Sequence, residues 1–456
     1  MPAGLRDHGQ ADLREGPSCT FIGSRDRHGK IFFSDVEGLP VQVWQQDCTC
    51  MSGLPQASRV SVGNVDMTPP VMNATTFAVS AEFWSGKRVF LTGHTGFKGS
   101  WMLHWLDLLG ATVRGFALPP DTTPSMFTQT EAGRLCDHVI GDVRDAAALR
   151  AAVVDFKPDI VIHMAAQPLV RRSYRDPAAT VATNVMGTVN LLEAVRACDS
   201  VGSVVIVTTD KCYVNNEWAF AYRENDRLGG KDPYSASKAC TEIITQSWRD
   251  SFFAVDTPLS RRLPVASARA GNVFGGGDYS EDRLIPDAVR AFTSGNPLVI
   301  RAPAAVRPWQ HCLDPIAGYL YLARACFEDG TDLAAAYNFG PSADQMPSVG
   351  DLATVFADQW GDGATWQHQP GDAHLKEAGL LLLDSSLAQR TLGWRQASDL
   401  QTGLAATAVW YRAAAAGASP AKLADLTRAQ IADLTDGAGS ATSSHIQGPA
   451  DALSSH

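Results

Sequence analysis

Two groups of residues have the types and spacing for acid–base chemistry. Thr209, Asp210 and Lys211 follow directly after the apolar run S-V-V-I-V-T. Tyr234 and Lys238 come later, four residues apart, so that they share one face of a predicted helix. A lysine ammonium near a phenol favours the phenolate and lowers the pKa of the tyrosine. Tyr234 is therefore predicted to act as a general base near neutral pH.

A glycine-rich turn precedes both groups. Gly93, Gly96 and Gly99 have the spacing G-x-x-G-x-x-G, between the apolar run 88–91 and an amphipathic segment that begins at Ser100. In such a turn the first glycine permits a tight bend, the second lets the backbone approach a diphosphate, and the third lets helix and strand pack closely. The context predicts a dinucleotide site. The alternative is a glycine-rich loop without a ligand.

The elements that must position these residues alternate between strand and helix from Trp84 onward. Ligands of open parallel sheets bind at the carboxyl ends of the strands, so Thr209, Asp210 and Lys211 arrive where a substrate would lie. The pattern predicts an α/β fold, a Rossmann-like doubly wound parallel sheet with a smaller C-terminal α/β substrate lobe. The predicted strands cover residues 88–91, 112–118, 139–142, 159–163, 203–208 and 264–268.

Some of these strands end in residues that suit an adenine nucleotide. Asp142 can accept a hydrogen bond from an adenine amino group. Alternatively it begins the next helix, a role for which Asp145 is better placed. Ala165 and Ala166 are small enough for a flat cofactor to lie against the backbone. Asp121 is the acidic candidate for the adenosine ribose, although it lies beyond two prolines.

Composition excludes several classes of protein. The chain has 456 residues, 45% of them hydrophobic, and a formal net charge of −10, which indicates a globular protein without a nucleic-acid surface. It lacks a membrane-length apolar run and a secretory signal, so we expect a cytoplasmic protein without membrane contact. The nine cysteines have no zinc-site spacing, and we expect reduced thiols and no metal. Cys212 and Cys240 lie near the candidate site but are expected to serve packing.

Several longer motifs occur in order between Trp84 and Tyr411. They are G-H-T-G-F-K-G-S-W (93–101), T-T-D-K-C-Y (208–213), E-W (217–218), Y-R-E-N (222–225), D-P-Y-S-A-S-K (232–238), R-A-G-N-V-F-G-G-G-D (269–278), R-L-I-P-D (283–287) and R-P-W-Q-H (307–311). With these motifs the chain resembles an extended short-chain dehydrogenase/reductase. More narrowly, it resembles the CDP-glucose 4,6-dehydratases within the NAD-dependent sugar-nucleotide epimerases and dehydratases.

The resemblance implies a retained NAD cofactor and CDP-glucose as the small-molecule substrate. The implied cofactor residues are Gly93, Thr95, Gly96, Phe97, Lys98, Gly99, Asp142, Val143, Ala165, Ala166, Gln167, Tyr234 and Lys238. The implied substrate residues are Asn272, Arg283, Leu284, Arg301, Arg307 and His311. Guanidinium groups suit phosphate oxygens, although any single arginine is more often a surface charge. His311 is expected to be structural rather than catalytic.

The implied reaction is a redox-neutral dehydration. Tyr234, helped by Thr209 and Lys238, takes the proton of the sugar 4-hydroxyl while hydride passes from C4 to the nicotinamide. Water is then lost across C5 and C6, and hydride returns to C6 to give CDP-4-dehydro-6-deoxyglucose. Asp210 fits the acid if the site raises its pKa. Lys211 stands where related dehydratases usually have Glu. It is either the neutral C5 base or a charged group that steadies the enolate, and the sequence leaves both open.

Three different functions remain compatible with the sequence. A 4-epimerase shares the glycine motif, Thr209, Tyr234 and Lys238 but needs no acid and base for water loss. Dehydratases of other sugar nucleotides are expected to carry Glu at position 211. A non-catalytic NAD-binding regulatory protein is the alternative from another class. The family further implies a homodimer or higher homo-oligomer, with dimerisation through two helices, and a role in deoxysugar synthesis for surface polysaccharides such as the lipopolysaccharide O-antigen.

Four segments are predicted along the chain. Residues 1–83 form an N-terminal extension that we expect to be poorly ordered. Residues 84–270 form the NAD-binding Rossmann domain with the catalytic residues, and residues 271–412 form mainly the substrate-binding lobe with some return to the sheet. Residues 413–456 form a C-terminal tail. One short amphipathic helix is predicted in it, from Leu423 to Leu434, and a disordered end is predicted from Gly437.

Overall fold

The computed structural model describes residues 22–25, 31–34, 79–254, 261–342, 346–370 and 378–441. The chain divides into two units, Met1–Pro69 and Pro70–His456. In the first unit, strands β1 (Ile22–Arg25) and β2 (Ile31–Ser34) pair antiparallel. The other residues of the predicted extension up to 78 lie outside the described residues, so its expected disorder stays a prediction.

The second unit alternates strands and helices. Its strands are β3 (Arg88–Thr92), β4 (Thr112–Ala117), β5 (Asp137–Ile140), β6 (Ile160–His163), β7 (Ser203–Val207), β8 (Val265–Ala270), β9 (Val273–Phe274), β10 (Leu298–Ile300), β11 (Gln310–His311), β12 (Ala336–Phe339) and β13 (Trp366–His368). Its helices are α1 (Ala81–Trp84), α2 (Phe97–Leu108), α3 (Met126–Gln129), α4 (Ala146–Phe156), α5 (Val170–Arg175), α6 (Pro177–Val181), α7 (Gly187–Arg196), α8 (Pro233–Trp248), α9 (Leu284–Thr293), α10 (Leu313–Asp329), α11 (Val349–Trp360), α12 (Ser386–Thr391), α13 (Leu400–Ala415) and α14 (Pro420–Ala441). Residues Ala182–Met186 and Arg249–Phe253 form π-helical turns.

Seven parallel strands form the main sheet in the order β12-β8-β7-β6-β3-β4-β5. From β3 the chain builds outward through β4 and β5, and then returns to the other side of β3 with β6, β7 and β8. This reversal opens a crevice at the carboxyl ends of the strands. The predicted doubly wound parallel sheet is therefore confirmed. Two small parallel pairs, β9 with β11 and β10 with β13, lie in the C-terminal half, and β12 returns to the main sheet.

The inner strands of the sheet are buried on both faces, and successive residues of such a strand pack on opposite sides. In β3, Leu91 belongs to the core under α2 and α10, whereas Phe90 belongs to the core under α4 and α7. Ile162 and Val161 of β6 divide between the same two cores. A strand covered on both faces needs an unbroken apolar run, and for this reason these strands can be predicted from the sequence.

Two helix boundaries bear on the predictions. Helix α2 begins at Phe97, three residues before the predicted start at Ser100, so Phe97 and Lys98 lie in its first turn. The side chain of Asp145 accepts hydrogen bonds from Ala147 N and Ala148 N at 3.1 and 3.0 Å. Asp145 is thus the N-cap of α4, as the sequence predicted.

The last helix, α14, packs against α2 near the start of the unit. Arg428 Nη2 donates to Asp107 Oδ2 of α2 at 2.6 Å, and Trp410 Nε1 of α13 donates to Thr427 Oγ1 at 3.0 Å. Helix α14 runs to Ala441, beyond Gly437, where the sequence placed the start of a disordered end. Leu423 and Ile431 of this helix belong to the main core. Residues 442–456 lie outside the described residues.

Within the described ranges, no helix combines the length and apolarity needed to cross a bilayer. The same ranges contain no group of three His, Cys, Asp or Glu side chains suited to a metal ion. The cysteines in this part of the chain are free thiols, with Cys212 buried and Cys240 exposed. Cys48 and Cys50 lie outside the described residues.

Candidate active site

The carboxyl end of β7 presents three polar residues in the crevice. Asp210, Lys211 and Cys212 form a 3₁₀ turn, and Thr209 Oγ1 donates to Asp210 Oδ1 at 3.0 Å. The same hydroxyl accepts from the backbone N–H of Lys211 at 3.4 Å. Asp210 is only 1% exposed, and its Oδ2 has no hydrogen-bond partner among the residues that the structure describes. The turn leaves one buried carboxylate oxygen available to a ligand.

Burial shifts the pKa values of Asp210 and Lys211 in opposite directions. It raises the pKa of Asp210, and the charge of Lys211 and the hydrogen bond from Thr209 only partly oppose this effect. It lowers the pKa of Lys211, with the charge of Asp210 opposing. Both shifts favour the neutral form of the group. A protonated carboxyl beside an unprotonated amine is the combination that a proton donor and a proton acceptor need.

Helix α8 brings Tyr234 to these residues. Asp232 caps the helix by accepting from Ser235 N at 2.9 Å, and Tyr234, in the first turn, is buried and hydrogen-bonded to Thr209. Burial raises the pKa of Tyr234 to about 12, although the bond to Thr209 acts in the opposite direction. The tyrosine is therefore a phenol in this structure. Desolvation outweighs the stabilising contacts, so Tyr234 must lose this proton before it can act as a base, and its role as general base stays a prediction.

Lys238 lies one turn after Tyr234, as predicted, but its contact differs from the predicted one. Its Nζ donates to the backbone oxygen of Val207 at 3.0 Å, at the last residue of β7. Burial lowers the pKa of Lys238 to about 8. Lys238 thus connects α8 to the strand that delivers Thr209.

The glycine turn has the strand–turn–helix context that the sequence predicted. Gly93 has φ of 75°, and a Cβ there would lie 2.7 Å from Ala165 N. A Cβ on Gly99 would lie 2.7 Å from His94 Cα and closer still to the Gly93 oxygen. Gly96 is the N-cap of α2 and offers no side chain to the first backbone N–H groups. These donors suit an anionic group such as a diphosphate.

The other predicted cofactor residues surround this turn. Thr95 Oγ1 donates to Leu118 O at 2.8 Å, which fixes the turn to the end of β4. Ala165 N donates to Thr92 Oγ1 at 3.1 Å, and Gln167 N donates to Asn184 Oδ1 at 2.8 Å. Ala166 follows Ala165 in the same segment after β6. These predicted cofactor residues therefore lie together at the carboxyl ends of β3, β4 and β6.

Asp142 and Val143 lie just beyond β5. The Asp142 carboxylate accepts two hydrogen bonds from Arg144 Nε at 2.9 and 3.0 Å, and these bonds lower its pKa. Val143 is buried. Asp121, the ribose candidate, pairs instead with Arg172 at 2.6 Å on the surface. The contacts of Asp142 and Asp121 with an adenine nucleotide stay predictions.

Three basic residues from different elements face the crevice. Lys98 Nζ, in the first turn of α2, donates to Tyr319 OH of α10 at 3.2 Å. Arg283, the residue before Leu284 at the start of α9, pairs with buried Asp278 at 3.0 Å. Arg307 is buried and donates to Val306 O at 2.8 Å and to Ala378 O. The charges of Arg283 and Arg307 reach Lys211, and that of Arg307 also reaches Asp210.

Three more of the predicted substrate residues, Asn272, Arg301 and His311, lie on or next to the short strands β9, β10 and β11. Asn272 accepts at its backbone oxygen from Gln310 N at 3.1 Å, in the pairing of β9 with β11. Arg301 follows β10 and lies 3.5 Å from Asp282, partly exposed. His311 is buried among Trp101 and Phe274, and burial lowers its pKa to about 4. A neutral, packed imidazole agrees with the structural role expected for it.

Residues 89–340 match the sequence profile of the NAD dependent epimerase/dehydratase family. The chain is also 46% identical over 335 residues to a CDP-glucose 4,6-dehydratase from Salmonella typhimurium, covering 74% of this chain and 93% of that protein. The chain belongs to the NAD dependent epimerase/dehydratase family. A dTDP-glucose 4,6-dehydratase from Streptomyces griseus is 32% identical, with coverage of 71% of this chain and 93% of that protein.

Solved structures of this epimerase/dehydratase family share the fold. DesIV, a dTDP-glucose 4,6-dehydratase from Streptomyces venezuelae with NAD and TYD bound, has a TM-score of 0.60 at 24% identity and covers 73% of this chain and 99% of its own. A UDP-glucose 4-epimerase from Thermus thermophilus, in complex with NAD, has a TM-score of 0.60 at 25% identity, covering 72% and 99%. Dehydratases and epimerases of the family thus share one architecture, which does not distinguish their reactions.

The residues of this family member fit the NAD of the family's description. The uncapped start of α2, the glycines that leave no room for a Cβ, and the small residues after β6 form a cradle for a dinucleotide. Backbone donors near Gly96 would hold its diphosphate, and the segment from Ala165 to Gln167 would lie along its nicotinamide half.

Sequence analysis missed three buried polar residues behind this site. Asn184 Nδ2 donates to Gln167 O at 3.1 Å and to Ser237 Oγ of α8 at 2.8 Å, and so ties the cofactor side to the catalytic helix. Glu242 and Arg269 form a buried ion pair at 2.8 Å. A charged residue inside an otherwise apolar strand, as Arg269 is in β8, was a signal for such a pair.

Proposed function

We propose that the chain converts CDP-D-glucose to CDP-4-dehydro-6-deoxy-D-glucose and water with NAD as cofactor. The observation that carries this proposal is the buried Asp210 next to Lys211, hydrogen-bonded to Thr209 beside Tyr234. It occurs in a chain that is 46% identical to a CDP-glucose 4,6-dehydratase over 93% of that enzyme. The assignment as a hydro-lyase follows from the same support.

Tyr234 and Lys238 serve the first half of the proposed reaction. NAD, whose diphosphate the backbone donors near Gly96 would hold, would supply a hydride acceptor for C4 of the sugar and then a hydride donor for C6. Tyr234 first gives its phenol proton to solvent, and the phenolate oxygen then takes the proton of the sugar 4-hydroxyl; its hydrogen bond with Thr209 favours the deprotonated form. The Lys238 ammonium, held by the carbonyl of Val207, adds positive charge beside the helix start.

Asp210 and Lys211 serve the loss of water. Lys211, whose pKa is lowered by burial, takes the C5 proton that the 4-ketone has acidified. Asp210, whose pKa is raised by burial, gives its proton to the departing 6-hydroxyl, which leaves as water. In the second half of the reaction, Lys211 gives its proton back to C5. Exchange with solvent resets Tyr234 and Asp210.

The basic residues of the crevice suit the two phosphates of the substrate. Arg283 and Arg307 come from the C-terminal half and face the strand end that carries Asp210. Arginine can bind a phosphate through two hydrogen bonds. We propose four further residues of the substrate lobe from their places: Asn272 directly before β9, Leu284 at the start of α9, Arg301 directly after β10 and His311 on β11.

A 4-epimerase is the nearest competing function, since the fold and the Thr209–Tyr234–Lys238 set serve both reactions. An epimerase requires no acid and base for water loss, so Asp210 and Lys211 favour the dehydratase. A dehydratase that acts on a different sugar nucleotide is the second competing function, and a non-catalytic NAD-binding protein is the third.

The deciding experiment is to incubate the purified protein with CDP-glucose and, separately, with dTDP-glucose and GDP-mannose. We expect a 4-keto-6-deoxy product, detected by its absorbance in alkali, from CDP-glucose alone and without added reductant. Reversible formation of a C4 epimer would identify an epimerase instead. Product from another sugar nucleotide would change the substrate, and no product in NAD-loaded protein would favour the binding protein.

We further propose a homo-oligomer, at least a dimer, in the cytoplasm, where the product enters deoxysugar synthesis for surface polysaccharides. Support for the oligomer comes from apolar side chains that α6, the adjoining π-helical turn and α8 expose. Val181, Met186 and Ile243 are 44%, 49% and 54% exposed. Exposed apolar patches on helices that pack against one another are typical of interfaces.

A charged residue at the centre of this surface tests the oligomer. We expect Ile243→Glu to shift the mass in solution, measured by light scattering, from dimer or higher to monomer, because a carboxylate cannot be buried unpaired. Val299→Glu, at an equally exposed apolar position on β10, is the control and should leave the mass unchanged. A monomeric wild-type protein would contradict the proposal.

A further inference from the structure

Two side chains of α8, one turn apart, hold consecutive residues at the end of β7. Lys238 Nζ donates to Val207 O at 3.0 Å, and Glu242 Oε1 accepts from the hydroxyl of Thr208. The next residue along the strand is Thr209. The pair of bonds therefore sets the register between the helix that carries Tyr234 and the strand that delivers the proposed acid and base.

Glu242 is itself fixed from the neighbouring strand. Its Oε2 accepts from Arg269 Nη2 at 2.8 Å and from Ser267 Oγ at 2.7 Å, and both residues belong to β8. Burial would raise the pKa of Glu242, but the charge and hydrogen bond of Arg269, with the bonds from Thr208 and Ser267, lower it below its ordinary value. Glu242 is therefore an ionised carboxylate at 3% exposure.

Arg269 extends this network to the segment after the catalytic turn. Its Nη1 donates to Tyr213 OH at 2.8 Å and to Glu224 O at 2.8 Å. Tyr213 OH donates in turn to Asn338 Oδ1 of β12 at 2.7 Å. Both ends of the turn that contains Asp210 and Lys211 are thus attached to one buried ion pair, at Thr208 before it and at Tyr213 after it.

We propose that Glu242, fixed by Arg269, is a positioning residue of the reaction, which holds the Thr209–Asp210–Lys211 turn in register with Tyr234 and keeps Lys238 protonated. Glu242 acts through these residues and contacts no substrate. The expected effect of Glu242 on the reaction rate rests on the proposed function. The effect on Lys238 is independent of which sugar nucleotide is bound.

The groups that face Lys238 come from several elements. Cys212, in the turn after β7, is a neutral thiol because burial raises its pKa well above the ordinary value. His163 of β6 is neutral because burial lowers its pKa to about 3. Lys98 of α2 has a pKa lowered by burial to about 8, and its charge acts against that of Lys238. Among these groups, Glu242 alone contributes negative charge near neutral pH.

The test measures the charge state of Lys238 directly. The full-length protein, loaded with NAD, is labelled at lysine Cε with carbon-13, and the Lys238 signal is assigned by its loss in Lys238→Met. In Glu242→Gln we expect the titration midpoint of Lys238 to move to lower pH, since the opposing carboxylate is gone. In Glu242→Asp, which keeps the charge, the midpoint should stay near that of the wild type.

The same variants are assayed with CDP-glucose. For Glu242→Gln we expect kcat to fall by about 100-fold, since a small displacement of a reacting group costs about this much. KM should stay within about twofold, because the substrate touches no part of the network, and the alkaline limb of the pH–rate profile should move with the Lys238 midpoint. A purely structural role would change neither the midpoint nor the limb.

A second variant guards against misfolding, because Glu242→Gln leaves Arg269 buried without its partner. In the double variant Glu242→Gln with Arg269→Gln, two amides replace the ion pair, and we expect the same shift of the midpoint and the same fall in kcat. Glu328→Gln removes an exposed partner of Arg324, 2.9 Å away on α10, and should match the wild type.

Two outcomes separate this inference from the proposed function. A double variant with the wild-type Lys238 midpoint and the wild-type kcat would overturn the role of Glu242. A wild-type protein that does not turn over CDP-glucose would overturn the proposed function, and the Lys238 midpoint would still decide on Glu242.

Discussion

Asp210 and Lys211 are adjacent residues whose burial has opposite chemical consequences. In water they would form an ion pair, whereas at the end of β7 desolvation favours the neutral form of each. Burial therefore favours a proton on the carboxyl of Asp210 and an unprotonated amine on Lys211. For the proposed reaction, this arrangement supplies the acid and the base from a single turn of backbone.

The role of Asp210 is tested by Asp210→Asn. We expect the rate of product formation from CDP-glucose to fall by about 10²–10⁴-fold, because the amide keeps the size of the side chain but cannot give up a proton to the leaving hydroxyl. Product is followed by its alkaline absorbance. Asp425→Asn, at an exposed position of α14, is the control. Wild-type turnover in Asp210→Asn would remove Asp210 from the mechanism.

The role of Lys211 is tested by the pH dependence of Lys211→Met. A base must be unprotonated, so wild-type kcat/KM should rise with pH through the lowered pKa of Lys211. Lys211→Met should lose this acidic limb and most of the activity, about 10²-fold or more. If the wild-type rate instead falls as pH rises through this range, Lys211 acts as an ammonium that stabilises the enolate.

At this scale, sequence motifs pointed to the proposed reacting residues but not to their protonation states. Y-x-x-x-K placed Tyr234 and Lys238 on one face correctly, yet the contact of Lys238 with Val207 arises from a strand that lies 31 residues earlier. The pKa of Tyr234 is raised mainly by its burial in the folded chain. Burial is a property of the assembled chain, and no local pattern reports it.

Among the elements, the turn between β3 and α2 has no room for a Cβ atom at two of its glycines. Gly93 approaches the backbone after β6, and Gly99 approaches the turn itself, so the third glycine serves packing and the second serves access to the ligand. A Cβ on Gly96 would lie 3.3 Å from Gly93 O, which is a tight contact but a smaller conflict than at Gly99.

This difference predicts distinct outcomes for two alanine variants. Gly99→Ala should destabilise the fold by about 1–3 kcal/mol, because its Cβ meets backbone that cannot move aside. Gly96→Ala should lose less stability but should bind NAD more weakly, since its methyl group stands at the free N–H groups of α2. Thermal unfolding and NAD retention after gel filtration measure the two effects. Equal stability of both variants would contradict this assignment of the glycines.

Most of the strands and helices could be predicted from the sequence. The strands β3, β6 and β7 appear as apolar runs because both of their faces are buried. The start of α2 was placed three residues late, since its first turn contains Phe97, Lys98 and Gly99 rather than an amphipathic pattern. The Glu242–Arg269 pair joins a helix to a strand 27 residues later, and such pairs follow from tertiary packing alone.

On the scale of the whole molecule, helices α2 and α14, which are far apart in the sequence of the second unit, pack against each other. His104 of α2 is buried near Arg428 of α14, and neither ring nitrogen has a hydrogen-bond partner among the described residues. Burial, with a smaller effect of the Arg428 charge, lowers the pKa of His104 from 6.5 to about 4. The imidazole is neutral in the folded protein.

This histidine makes the stability of the unit depend on pH. The unfolded chain binds the proton at His104 near pH 6.5, whereas the folded chain does so only near pH 4, so stability is lost as pH falls between these values. His104→Leu removes this loss. We expect the variant's advantage in unfolding free energy to grow by up to about 1.4 kcal/mol per pH unit below 6.5.

Urea unfolding at about pH 7.5 and about pH 5.5 measures this advantage. The substitution also removes two unpaired buried nitrogens, which favours the variant at both values. Val154→Ala, at an exposed position of α4, changes no titratable group and should show no such dependence. A difference between wild type and His104→Leu that stays constant with pH would contradict the prediction.

The contact of α14 with α2 has a consequence for the synthesis of the protein. Arg428 follows its partner Asp107 by 321 residues, so a ribosome that adds about 5–20 residues per second releases α2 tens of seconds before its cover. By the time that α14 is made, the nascent chain already carries every proposed catalytic residue, while the side of α2 that α14 contacts is still uncovered. A message truncated before codon 420 would yield a chain in that state permanently, with apolar surface open to chaperones and proteases.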